Sequence, residues 1–315
     1  MTQRLLLGLL TVALTSNAPG QASSADKTLA ERLGYPRGAK LLIVNGDDLG
    51  MSHSVDGASI KGLETGAITS ASIMIPCPWL PEIAAYARTH PKADLGLHLT
   101  LTSEWTSYRW GPVLSKDKVP SLLNPDGYLY ATAEEAVARI DPREAEAEVR
   151  AQIARARAFG IQPTHLDSHM GTLYGNRALF DVLLRVAREN GLPVRVARDQ
   201  LVRVPFLTEL LQPGDVMIDH RVSIEPSVTP ERWGEFYAKA IKALQPGVTE
   251  MIVHLAYDDD EMRAATAGHP DWGAAWRKRD FDFFTSETFR RLVRENGITL
   301  ITWREIGKLL PTRGK

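Results

Sequence analysis

The chain has 315 residues, with 37 Lys and Arg against 38 Asp and Glu, a formal net charge of −1 and a single cysteine. That balance gives no electrostatic case for nucleic acid as a partner, and one cysteine excludes an intrachain disulfide framework. Hydrophobic residues at 44% and charged residues at 24% describe an ordinary globular protein.

Residues 1–22 read as a secretory signal peptide: Arg4, an apolar run from Leu5 to Leu14, and a polar stretch ending Gly20-Gln21-Ala22. Roughly ten apolar residues are too few to span a bilayer, which takes about 20. The mature chain is therefore expected in the periplasm or outside the cell, with no membrane insertion after the signal is removed. Residues 23–39 form an N-terminal extension, and 40–315 a single domain long enough for a sizeable core.

Within that domain, apolar runs at 41–44, 68–75, 95–101, 164–167, 193–197, 216–218, 250–255 and 299–301 read as strands. Helical spacing fills 52–65, 81–89, 142–159, 176–190, 230–244 and 286–296, with a short helix near 203–211 and a last one from Trp303. Ser52 suits the N-cap of the first of these, and Gly66 lies just past its end. Residues 102–140 read as a long loop, and a second loop precedes 286. Seven or eight strands alternating with helices predict a parallel sheet, curled into a (β/α) barrel.

Four acid and histidine clusters fall where strands end: Asp47-Asp48 after KLLIVN, His98 in LGLHLT, His165-Leu-Asp167-Ser-His169, and His254 in EMIVHLA. Barrel active sites lie at the carboxyl ends of the strands, so these clusters point to one metal site flanked by acid and base groups, as in a metal-dependent hydrolase. Asp47 and Asp48 would face opposite ways on an extended segment unless the backbone turns, which Gly50 permits. His165 and His169 share a face on a helix but diverge on a strand running into a loop; Pro163 favours the strand.

The segments VNGDDLGMSHSVDG, DLGLHLTLTSEW, THLDSHMGTLYG and EMIVHLAYDDDE, in that order, resemble the YdjC-like carbohydrate deacetylase family, which includes chitooligosaccharide deacetylases; the likeness runs from about residue 40 to 310. The resemblance implies a distorted (β/α) barrel of seven to eight parallel strands related to polysaccharide deacetylases. It also implies metal-dependent hydrolysis of the N-acetyl group of an amino sugar or oligosaccharide, releasing acetate. On it, Asp48, His98 and His169 would hold one divalent ion, zinc or magnesium, with nickel, cobalt and manganese also compatible with such donors. Asp47 would be the general base and His254 the general acid, with His165 and Asp167 orienting the ligands. The chain departs from the family pattern at Met170-Gly171-Thr172-Leu173, where members commonly carry further histidines, and this affects the pocket wall.

Trp105 and Trp110 are candidates either for stacking on the N-acetylated carbohydrate or for packing their loop onto the barrel, and Arg195 for reaching the catalytic carboxylate, the substrate or a structural partner. Trp233 and Trp303 read as packing residues, and Arg277, Lys278 and Arg279 as a solvated face. A noncatalytic sugar-binding protein on the same scaffold and a metallophosphoesterase are the alternatives. The oligomeric state stays open, a homo-oligomer included.

Overall fold

A computed structural model describes residues 27–201 and 204–311; the expected signal peptide lies outside the described residues. In chain order the elements are α1 (Leu29–Arg32), β1 (Lys40–Leu49), α2 (His53–Glu64), β2 (Ser70–Ile73), α3 (Leu80–Thr89), β3 (Leu95–Leu99), α4 (Ala133–Arg139), α5 (Pro142–Ala158), β4 (Leu166–Ser168) and α6 (Arg177–Asn190). There follow α7 (Arg198–Leu201), α8 (Phe206–Leu210), β5 (His220–Ser223), α9 (Trp233–Lys242), β6 (Gly247–Val253), α10 (Asp260–Ala265), α11 (Ala274–Thr285), α12 (Glu287–Glu295), β7 (Ile298–Leu300) and α13 (Trp303–Gly307). No described helix is long and apolar enough to cross a membrane.

The sheet runs β4-β3-β2-β1-β6-β5, all parallel, with β7 added to the start of β1. Two single bridges, Leu166 to Val194 and Ala197 to Ile218, carry the hydrogen bonding from β4 through residues 193–198 towards β5. The sheet thereby curls back on itself as the expected distorted barrel. Strands β1 and β6 are covered on both faces, which is why β1 opens, after Lys40, on the apolar run 41–44 and β6 ends on the apolar run 251–253.

Local signals explain most boundaries. Ser52 accepts from the N–H of Val55 at the start of α2, Asn176 does the same for Leu179 at α6, and Gly191 ends α6 at φ 65°. Gly96 on β3 has a packing role: a Cβ there would lie 2.3 Å from the His165 ring.

Four expectations need correction. Residues 193–197 form only isolated bridges, because the carbonyl of Arg195 accepts from the Tyr174 hydroxyl and the N–H of Ala197 donates to Gln200 Oε1, so neither continues a ladder. The strand expected at 216–218 is at His220–Ser223 instead. The 102–140 loop contains α4. The late loop contains α10 and α11, so Trp276 and Arg277 are helical residues.

Candidate active site

Strand β1 ends in a backbone irregularity that decides the site. Its register with β2 shifts between Gly46 and Leu49, and Asp48 sits at φ 72°, in the left-handed region rarely used by non-glycine residues. The turn expected from Gly50 is taken first by Asp48 itself. In consequence Asp47 and Asp48, adjacent in sequence, both line one cavity of about 480 Å³ at the carboxyl ends of the strands.

Both oxygens of Asp47 are held by neighbours. Its Oδ1 accepts from Asn45 at 2.8 Å, Ser72 at 3.2 Å and Arg195 Nη2 at 2.7 Å, and its Oδ2 accepts from Arg195 Nη1 at 2.9 Å. Burial opposes its ionisation, but Arg195 and His98 outweigh burial and hold the carboxyl below the usual range. Asp48 differs: Oδ2 accepts from Arg277 Nη2 at 2.7 Å, while Oδ1 is buried without a hydrogen-bond partner.

Two imidazoles converge on that unclaimed oxygen, His98 Nε2 at 3.3 Å and His169 Nδ1 at 3.4 Å. The opposite nitrogen of each ring meets a carboxylate: His98 Nδ1 lies 2.6 Å from Asp167 Oδ1, and His169 Nε2 lies 2.8 Å from Glu104 Oε2. A carboxylate can only accept, so each ring places its N–H there and, when neutral, turns a lone pair towards Asp48 Oδ1. Three converging acceptors repel unless protons or a cation lie among them. Burial opposes charging the rings, yet Asp167 and Asp47 push His98 well above the ordinary range, and Glu104 and Asp48 push His169 up to about 9. Asp48, His98 and His169 therefore have the donor set and convergence of a divalent-metal site.

Arg195 joins the two sides of this arrangement. Beyond Asp47 it contacts Asp167 Oδ2 at 2.6 Å and Glu250 Oε1 at 3.0 Å, so one buried guanidinium serves three carboxylates. Glu250 also accepts from Trp303 Nε1 at 2.9 Å, and burial pushes its carboxyl up to about 7. His165 lies one layer further out. It stacks on Trp303 with ring centroids 5.1 Å apart, its Nε2 is 3.9 Å from Asp167, and burial lowers it to about 4.

His254 follows β6 on the far side of the cavity. Its backbone N–H donates to Asp280 Oδ2 at 3.0 Å, and Asp280 also accepts from Trp233 and Tyr237, which fixes the strand end. Among the described residues the His254 ring makes no hydrogen bond, and burial lowers it to about 4, a neutral imidazole.

Of the two candidates for sugar stacking, Trp105 lines the cavity but is buried, with its Nε1–H towards Met51 Sδ. Trp110 does not line it; the indole N–H donates to Thr102 O and the ring packs into the core. Arg277, expected on a solvated face, is buried against Asp48. Glu104, Arg277 and Asp280 have contacts that sequence spacing did not signal, although Glu104 stands in the LTLTSEW motif beside a ligand strand.

The model of the YdjC-like protein family matches residues 41–295. A carbohydrate deacetylase of Thermus thermophilus is 33% identical over 289 residues, covering 90% of this chain and 99% of its own. A chitooligosaccharide deacetylase of Serratia marcescens is 27% identical, covering 85% and 99%. A crystal structure from Enterococcus faecalis V583, provisionally described as a cellobiose-phosphate cleavage protein, superposes with a TM-score of 0.71 at 24% identity, covering 85% and 99%. That likeness supports the fold alone.

Proposed function

Because the chain belongs to the YdjC-like family, we propose that it hydrolyses the N-acetyl group of an amino sugar or oligosaccharide, releasing acetate and a free amine, with one divalent ion held by Asp48, His98 and His169. The observation that carries this reading is the buried, unpartnered Asp48 Oδ1 facing two imidazole nitrogens at 3.3 and 3.4 Å, beside a second carboxylate and opposite a free imidazole. When bound, such an ion would polarise the amide carbonyl and make water a better nucleophile near neutral pH. Two imidazoles with one carboxylate suit zinc better than magnesium, which prefers all-oxygen sites.

The side chains divide the remaining work. Asp47, oriented by Arg195, Asn45 and Ser72, takes a proton from the attacking water as its oxygen bonds to the carbonyl carbon. Asp167 and Glu104 fix the ring tautomers of His98 and His169. The proton that Asp47 takes returns to solvent when acetate leaves; His254, neutral in the resting site, takes up its own proton from solvent in the cavity only as negative charge develops on the carbonyl oxygen. It then delivers that proton to the leaving nitrogen as the C–N bond breaks. Residues 1–22 extend the proposal to an exported, periplasmic or secreted enzyme.

The test is acetate release from N-acetylglucosamine oligomers and related glycans by metal-loaded protein. Metal content of Asp47→Asn and His98→Ala then separates the roles, with retention expected in the first and loss in the second. No acetate from a broad glycan panel with metal bound overturns the enzymatic reading, and equal metal loss in both variants overturns the division of roles.

A further inference from the structure

Among the described residues, three non-glycine residues have positive φ: Asp48 at 72°, Met170 at 51° and Trp272 at 55°. All three line the same cavity. The first brings a carboxylate to the ligand cluster; the other two hold nothing polar there. Met170 and Trp272 are instead exposed, at 43% and 36%, although both are large and apolar. A left-handed backbone and an exposed apolar side chain are each unfavourable, and their coincidence at one cavity mouth calls for a ligand.

The topology sets the two residues apart. Met170 follows β4, and Trp272 lies in the connection after β6. Around the curled sheet these strands are separated by residues 193–198 and β5 on one side and by β3, β2 and β1 on the other. Their loops thus face each other across the mouth.

The Trp272 plate is braced. The Trp272 ring packs on Trp276 with centroids 5.1 Å apart, and Trp276 packs edge-on against Trp233 at 4.5 Å. Arg277 Nε donates to Trp272 O at 2.5 Å while its Nη2 donates to Asp48 Oδ2, so one guanidinium ties the plate to the ligand carboxylate. Met170 is bonded in sequence to His169 and turns out of the wall with Gly171 at φ 71°. Trp272 is thus tied through Arg277 to one candidate metal ligand, and Met170 is the chain neighbour of another.

We propose that Met170 and Trp272 form a two-sided apolar clamp that grips a pyranose ring by its C–H faces and presents its N-acyl group to Asp47 and His254. The inference rests on the deacetylase reading for the reacting group, and extends it with a ring subsite built from this chain's own Met170. A clamp remote from the breaking bond contributes equally to bound substrate and transition state, so its loss raises KM and leaves kcat nearly unchanged.

The experiment compares the zinc-loaded parent with Trp272→Ala, Met170→Ala and Met170→Gly, using the N-acetylglucosamine tetramer. KM is measured by acetate release, and binding by calorimetry with each change placed on Asp47→Asn. A roughly three- to tenfold rise in KM and in Kd is expected for Trp272→Ala and Met170→Ala. Met170→Gly should also weaken binding, while its melting temperature holds or rises by about 2 °C as the strained φ is relieved. A clear fall in that melting temperature would assign Met170 to structure and overturn the clamp. Acetate release with unchanged KM in both alanine variants overturns the clamp and leaves the deacetylase standing. Tetramer binding weakened by both changes, without acetate release by the parent, supports the clamp and removes the hydrolysis. Absence of tetramer binding to Asp47→Asn overturns the clamp.

Discussion

The two halves of the cavity are built on different terms. On the side of β3, β4 and residues 193–198, His98, Asp167, Arg195 and Asp47 form a closed chain in which Asp47 Oδ1, Asp47 Oδ2 and His98 Nδ1 each have a partner. On the side after β6, His254 is anchored only through its backbone and presents a free ring, and Trp272 stands exposed. Asp48 lies at the seam, with one oxygen committed to Arg277 and the other unclaimed. The contrast shows how a candidate metal ligand stands out in a polar cluster: by the lone pair that its neighbours leave unused.

The sharpest test of that contrast is Asp47→Asn, which keeps the size of the side chain but removes its basicity and turns one oxygen that accepts from Arg195 into an amide donor. Turnover should fall by about 10² to 10⁴ with metal content unchanged, measured by acetate release and elemental analysis. Arg195→Ala attacks the closed half directly by leaving Asp47, Asp167 and Glu250 buried beside one another. Denaturant titration should show a loss of about 3–5 kcal/mol; a loss below about 1 kcal/mol would mean that this half is not locked as described. Glu104→Gln leaves the fold but frees the His169 tautomer, and metal affinity should drop roughly 10- to 100-fold.

The pH dependence of metal uptake follows from the raised imidazoles. Since His169 is raised to about 9 in the metal-free protein, its protonated form contributes stability that is fully present below 6.5 and lost as pH rises through about 9. Metal requires the neutral ring, so affinity should rise by about tenfold per pH unit for each proton displaced, levelling off for this ring above about 9. Calorimetry in two buffers of different ionisation enthalpy should detect proton release on binding; no release would mean that the rings are already neutral. The smallest effect is expected for Ser72→Ala, which removes one donor at 3.2 Å from an Asp47 that keeps three others, and should cost about 1 kcal/mol or less.

Much of the architecture was legible because it depends on near neighbours. Apolar runs, Ser52 and Gly66 mark their elements through contacts within a few residues. The clusters at Asp47-Asp48, His98, His169 and His254 were legible because strand ends in a barrel converge by topology. Arg277 was misread because RKR within a polar stretch looks like any solvated face, and its partner Asp48 is 229 residues away. Trp110 was left between stacking and packing because nothing in a loop sequence distinguishes an indole that faces ligand from one that donates to Thr102 O. The positive φ expected at Gly50 is present, at 85°, but the left-handed turn at Asp48 two residues earlier was not legible, since glycine advertises positive φ and aspartate does not.

The central position of β1 has a consequence for the order of events in folding. The strand carrying both aspartates pairs with β2 soon after it in sequence, but its other edge waits for β6 at 247–253, and β7 at 298–300 joins only at the end. Contacts closing loops of about 200 residues are slow to form. The opening strand of the domain therefore cannot complete its ladder until almost the whole chain is available, and the carboxylates of the site remain in water until that closure.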